Sequence, residues 1–458
     1  DVPTVTTTRV LDADAERALP APPLREQPGL LRRLFADPTP VLDELDDRYG
    51  PTFSVGRGPA RMAFVGDPIA IGELFTMPND TFRWNHRFNV LGFIVGKGSM
   101  IVSDGDDHRR RRSAVQHGFS RRRLNRWVPM MVDRCDAAID TLLSTSPDGV
   151  PVDLYPVARR LVLDIVVRTL FGDRLAGRVD EIGDLFVRPQ AYLESSAIRQ
   201  LPHPFPFTAR ARVRADRRTF DDLVDAELAQ RRRDDVDDPD DLLAVLAAND
   251  ELSDAEIRDQ VGTLIGAGYH TTAASLSWML WCAVLEPGLW SNLGSEADAA
   301  FADRPIDHQV LTRLGLADRV MRETLRLHPA GVVSLREARR DVELGGYRIP
   351  AGTIILWSPY LAGRDPQVWA DPLRFDPDRF YDPTEEQRML ARTGWVPFGG
   401  GGRNCIGFAL AQMELTVLLA RLAQRLDLTA ATTTMPRPVG MVVNRPAGGV
   451  TMRVHERR

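Results

Sequence analysis

Cysteine and lysine are the scarce residues in this 458-residue chain. There are three cysteines, Cys135, Cys282 and Cys405, too few and too far apart for a disulfide framework or a four-thiolate metal site. That usage fits a reducing compartment, and the expected localisation is cytoplasmic. Lys97 is the only lysine, so 57 of the 58 basic residues are arginine, and they are opposed by 63 acidic ones. The net charge of -5 gives no electrostatic reason to bind a phosphate backbone, and nucleic acid is not an expected partner. No basic start followed by an apolar stretch marks residues 1–30 as a signal segment. Long apolar runs are missing as well, with one near-exception at Val261–Leu285. That stretch carries Tyr269, His270, Thr271 and Thr272, so it reads as a buried core helix and no stable transmembrane anchor is expected.

What is present is an ordinary globular balance, 43% hydrophobic and 26% charged. Residues 1–39 are rich in proline and read as an extended lead-in, and Pro40 opens a helical pattern. Residues 52–57 and 61–65 read as a hairpin around Gly58-Pro59. Helical periodicity then dominates a body of about 68–328, broken at 146–149, 201–206 and 234–241, and returns over about 406–425. Short strands are expected at 342–344, 347–349 and 353–357, with a Pro/Asp-rich meander over 364–398 and closing strands near 440–454. Without an internal repeat or linker, the reading is a single mostly-α domain over 40–458. A smaller β-rich subdomain is built from about 50–66, 340–357 and 437–454.

The most specific motif is Phe398-Gly399-Gly400-Gly401-Gly402-Arg403-Asn404-Cys405-Ile406-Gly407. Four glycines suggest a phosphate loop, but the lysine and Ser/Thr of such a loop are missing. A glycine-rich turn leading into a helix start brings backbone N–H groups close to sulfur and stabilises a thiolate, so Cys405 is a metal ligand or a nucleophile. Taken alone, a free cysteine is more often an inert buried thiol.

This loop resembles the haem-binding signature of the cytochrome P450 superfamily, with Phe398, Gly401, Arg403, Cys405 and Gly407 at its positions. The resemblance implies the mostly-α P450 fold, haem b as cofactor, Cys405 as axial ligand of the haem iron, Phe398 packed beside it and Arg403 on a haem propionate. It also implies that Glu323 and Arg326, three apart on one helix face, lock with Arg379 of the meander in a structural role. His108 and Arg112, four apart, are expected on the propionates, as is Arg336. Arg109, Arg110 and Arg111 are left as surface, where an electron donor could meet them.

Ser253 with Glu256 forms a capping box at the start of a helix running to about Leu285. Within it, Ala267, Gly268 and Thr271 match the family's oxygen-activation site, whereas His270 stands where an acid is usual. Two roles are open for His270: replacing the acid in proton relay, or a structural hydrogen bond. Apolar positions at Phe88, Val90, Leu91, Phe93, Ile94, Val332, Val333, Leu335, Met441 and Val442 resemble the family's substrate contacts. They imply a hydrophobic small molecule such as a fatty acid, terpenoid, steroid or polyketide. The implied activity is a monooxygenase that hydroxylates or epoxidises this substrate with O2. Its electrons are expected from a separate ferredoxin and ferredoxin reductase, because the chain leaves no room for a flavin or iron–sulfur domain. The rival readings are a peroxide-driven or non-redox haem-thiolate enzyme and a non-catalytic haem sensor.

Overall fold

The computed structural model describes residues 17–86, 89–146, 149–201, 205–234, 241–302 and 306–457. Ten of its helices are used to place the site. They are α1 (Gln27–Ala36), α2 (Pro38–Tyr49), α3 (Gly105–Gln116), α4 (Arg121–Thr145), α5 (Leu154–Phe171), α6 (Val179–Leu193), α7 (Ala209–Asp234), α8 (Asp254–Leu285), α9 (Gly315–Leu327) and α10 (Phe408–Arg425). The expected extended lead-in is corrected at α1. Pro28 falls in its first turn, where a missing N–H costs nothing, and Leu30 and Leu34 bury one face.

Helix α8 runs through the middle. Its start is the expected capping box, with Ser253 accepting from the Glu256 N–H and Glu256 reaching back to Ser253. It packs against α5, α10 and α9, and Trp278, Met279 and Leu280 bury into the large helical core. No helix among the described residues is long and apolar enough to cross a membrane, α8 included.

The main sheet has five strands, β1 (Thr52–Val55), β2 (Met62–Val65), β3 (Phe82–Arg83), β4 (Ser334–Ala338) and β5 (Ile354–Trp357), in the order β1-β2-β5-β4-β3. β1 and β2 are the antiparallel hairpin read from the sequence, and β2 pairs in parallel with β5, almost three hundred residues on. Strands at Leu426–Ala430, Thr451–Glu456 and Pro151–Asp153 form a second sheet, so the span expected as helical body also contributes a strand at 151–153. A small hairpin pairs Pro438–Val439 with Arg445–Pro446. These sheets bring residues from both ends of the chain around α8.

Candidate active site: a thiol loop, a cation cluster and an apolar cavity

The cysteine loop is shaped by its glycines. Gly399 and Gly401 have φ of 69° and 63°, the left-handed region that a side chain disfavours. A Cβ on Gly401 would stand 2.4 Å from the Phe75 carbonyl oxygen, so the loop lies hard against the end of the helix Pro68–Thr76. The Cys405 N–H donates to the Phe398 carbonyl at 2.8 Å, closing the turn just before α10. Cys405 sits deep enough that burial raises its thiol above the ordinary value, opposed by the Gly407 N–H and by Arg112. Its surface nevertheless stays accessible, so one side of the sulfur is open to a ligand rather than packed. The Phe398 ring packs 6.0 Å from the Trp395 ring and 6.4 Å from the Phe408 ring.

Around this loop gather four basic side chains from three parts of the sequence. Arg403 donates to the Ser103 carbonyl at 2.6 Å, and Arg112 donates to the Asn404 side-chain carbonyl at 2.7 Å. Arg336, on β4, stands over the rings of Phe75, Phe82 and Trp84. His108 is buried on α3, its imidazole pushed down to about 3 by burial, then by Arg403 and Arg112. Burial and Arg403 push Arg336 down to about 9. Arg403 falls to about 10, chiefly from burial, with Asp104 opposing and Arg112 adding to the fall. Asp104 pairs with Arg403 at 3.5 Å, and the guanidinium groups of Arg112 and Arg336 beside it suit a further anion. Moreover, the Nε atoms of Arg336 and Arg403 are buried with no hydrogen-bond partner.

Trp84 was not legible as a site residue. Its ring lies 3.7 Å below the Arg403 guanidinium and 5.2 Å from that of Arg336, holding both. Asp104 is a second unforeseen member, accepting from the Trp84 N–H at 2.9 Å. No sequence signal marked either, because each acts through residues far away in the chain.

The surface reading of Arg110 and Arg111 is corrected. Both bind Glu256 at the start of α8, Arg111 Nε at 2.8 Å from Oε1, and their pull holds the Glu256 carboxyl down at about 2. The reason is that α3 lies along the start of α8. Arg109 alone of the three is well exposed.

Glu323, Arg326 and Arg379 are brought together. Arg326 donates Nε to Oε2 and Nη2 to Oε1 of Glu323, each at 2.7 Å, with both side chains fully buried. Arg379 adds a bond at 3.2 Å, and Arg326 also donates to the carbonyls of Gly363, Pro372 and Arg374. The pair fastens α9 to the meander.

On the other side of the site, Ala267 is exposed in the middle of the buried helix α8, and Gly266 and Gly268 flank it. The Thr271 hydroxyl donates to the Ala267 carbonyl one turn back, which occupies its proton and leaves its oxygen lone pairs. A cavity of about 220 Å³ adjoins this face, lined by Leu91, Ile94, Phe186, Ala267, Thr271 and Val442 among others. His270 also borders it. Its ring bonds the Phe186 carbonyl, and burial with the nearby Arg159 pushes it down to about 3. It is therefore uncharged near neutral pH, and its bond to Phe186 is the structural hydrogen bond that was one of its two expected roles.

Of the expected pocket residues, Leu91, Ile94 and Val442 line this cavity, and Phe88 lies outside the described residues. Val332, Val333 and Met441 do not line it; they pack in the core of α1, α2 and β1. The Val332 N–H bonds the Met441 carbonyl, which turns those side chains away and presents Val442 and Val443 to the cavity instead.

A cysteine with one open side and, beside it, guanidinium groups whose buried Nε atoms lack partners fit a flat, dianionic macrocycle with an iron centre, and haem is such a group. When bound, haem supplies the iron at which O2 is reduced and one oxygen atom passes to an organic substrate. Comparison with known proteins agrees. A sequence profile of the family described as Cytochrome P450 matches residues 29–451. The chain is 35% identical to the putative cytochrome P450 139 of Mycobacterium tuberculosis, over 82% of this chain and 88% of that protein. It is 34% identical to the pentalenene oxygenase of Streptomyces avermitilis, covering 76% and 77% of the two. Identity to the cyclooctatin synthase of Streptomyces melanosporofaciens is also 34%, over 75% and 76%. The structure of a retinoic acid bound cyanobacterial CYP120A1 superposes with a TM-score of 0.84 at 22% identity, covering 97% of this chain and all of that one, a likeness of fold. The fold and site define a haem-thiolate monooxygenase, and this chain belongs to the cytochrome P450 family.

Proposed function

We propose that this monooxygenase hydroxylates or epoxidises an isoprenoid hydrocarbon or a lightly oxygenated derivative of one. The observation that carries this reading is the apolar cavity of about 220 Å³ against the Ala267–Thr271 face of α8. Such a space takes a compact apolar molecule and offers it few hydrogen-bonding groups. Two relatives at 34% identity, named for pentalenene and cyclooctatin, support the same class.

In this reading Cys405 ligates the iron, and Arg112, Arg336 and Arg403 with His108 hold the propionates. Thr271 carries protons at its hydroxyl, and His270 is a structural group that shapes the wall. Ala267 and Gly268 keep the helix face low. Electrons come from a ferredoxin and its reductase. An acidic donor suits the surface beside the thiol loop, where Phe119 approaches Gly407 and the chain continues into exposed Arg121 and Arg122. A cytoplasmic setting rests on the sparse cysteines.

The test is a spectral titration of the purified haem protein with a sesquiterpene, a diterpene and a fatty acid of similar size. Turnover with NADPH, ferredoxin and ferredoxin reductase follows. Binding and oxidation of a terpene is the expected result. A shift with the fatty acid alone would overturn the substrate class, and product formed with peroxide but never with the reductase system would overturn the assignment of the electron source.

A further inference from the structure

Two of the residues that form the cavity wall, Val442 and Val443, sit in the turn of the Pro438–Val439/Arg445–Pro446 hairpin. A two-stranded hairpin of this size is marginal by itself, so something else must fix where that wall stands. Gly440 bends it tightly, with φ of 93° and no room for a Cβ, which would lie 2.3 Å from the Val443 carbonyl oxygen. Its far end is fastened at Asn444. The Trp278 indole N–H donates to the Asn444 carbonyl at 3.1 Å. The Asn444 N–H donates to the Ala330 carbonyl at 2.8 Å, and its side-chain amide donates to the Pro329 carbonyl at 3.2 Å. The Trp278 ring in turn stacks on His328, centroids 4.2 Å apart and planes 7° from parallel. Trp278 and Asn444 are wholly buried and His328 is 3% exposed.

The position of Trp278 on α8 gives this arrangement a consequence for binding. It lies seven residues, about two turns and 10 Å, beyond Thr271, hence on the same face of the helix. One rigid helix face therefore carries both the Ala267–Thr271 surface and the support for the opposite wall.

We propose that Trp278, braced by His328 and joined to Asn444, is a positioning residue that sets the distance between the Val442–Val443 wall and the Ala267–Thr271 face, and so the orientation a substrate adopts. It touches neither substrate nor cofactor. The bonds of Asn444 to Ala330, of Met441 to Val332 and of Arg445 to Glu194 keep the hairpin attached, so losing the indole donor shifts its turn without releasing it, which alters the fit of bulky ligands and leaves small ones unaffected.

The test compares two iron-ligating probes on the haem-loaded protein, imidazole, too small to reach the wall, and 4-phenylimidazole, which must fit beneath it. Trp278→Phe keeps the stack on His328 and removes the donor; Asn444→Ala removes the bond to Pro329. The expected result is unchanged imidazole affinity in both variants with a change of about fivefold or more for 4-phenylimidazole, the size of one lost hydrogen bond. Equal effects on the two probes, or none on either, would overturn the proposal. Loss of haem from both variants would overturn it too, since the contact would then serve general stability.

Discussion

The guanidinium of Arg403 lies 3.7 Å from the centre of the Trp84 ring, two residues before the thiol of Cys405 and over three hundred residues from its partner in sequence. This stacking holds Arg403 in place while its Nε remains without a partner. A desolvated cation–π contact contributes up to about 2 kcal/mol, so Trp84→Leu should speed haem loss by about tenfold or more. Transfer of haem to apomyoglobin measures this directly. A transfer rate equal to the parent protein's would show that Trp84 does not hold Arg403 for the propionate.

Glu323 and Arg326 form a fully buried pair; Arg326 alone would be an uncompensated interior charge, and Glu323 alone would keep, of its ion pairs, only the longer one to Arg379. Glu323→Gln or Arg326→Ala should each cost about 3–5 kcal/mol of stability. Denaturant unfolding gives the number, and a loss below about 1 kcal/mol would mean the site relaxes or admits water. Arg326→Lys is expected to fare little better, because only the guanidinium fork can serve Glu323 and three carbonyls together.

Glu414 is buried in α10 with no ionic partner, and burial lifts its carboxyl to about 8. The folded state therefore favours the protonated form. Its contribution is fully present below the unfolded value of about 4.5 and is lost as the pH rises towards 8. Glu414→Gln stays neutral throughout, so its stability relative to the parent should climb across that window, by a few kcal/mol on the order of the shift. A pH-independent difference between the two proteins would refute a buried ionisable Glu414.

His270 works in the opposite direction. Its folded value of about 3 lies below the unfolded 6.5, so stability is present above pH 6.5 and is lost as the pH falls towards 3. His270→Phe should flatten that acid limb by about one proton and leave the ratio of product to NADPH consumed within about twofold. Thr271→Ala, by contrast, should lower that ratio severalfold. A strongly uncoupled His270→Phe enzyme would restore the histidine to the proton relay.

Gly401 tolerates no side chain, since its φ of 63° and the Phe75 carbonyl both exclude a Cβ. Gly401→Ala should displace the thiol loop. The reduced carbonyl complex would then absorb at about 420 nm in place of about 450 nm, the sign of a lost thiolate. A native spectrum would mean that the helix before Phe75 gives way.

Much of the site was readable because its signals are local. The Cys405 loop is ten contiguous residues, Glu323 and Arg326 are one helical turn apart, and Ser253 with Glu256 caps a helix within four positions. Each is carried by residues within a short span, so the capping box follows from spacing, and the loop and the pair are recognised through the family resemblance that such local motifs carry. Helix α1 was misread because prolines near a helix start look like prolines in an extended segment. The strand at 151–153 was missed because its partner lies at 451–453, and three residues carry no period. Arg110 and Arg111 looked like a solvated basic run until the start of α8 supplied Glu256.

The sequence by itself determined that a thiolate loop precedes a long helix, that a second long helix carries a small-residue notch with Thr271, and that the chain is mostly helical. Those properties follow from hydrogen bonds and side-chain spacing within a few turns. Only the tertiary structure decided that Trp84 supports two arginines, that Val443 joins Val442 at the cavity while Val332 and Met441 face elsewhere, and that burial pushes His270 down. Each depends on which distant segments pack together and on how much water they exclude, and neither burial nor the sum of neighbouring charges is written in any local stretch of the chain.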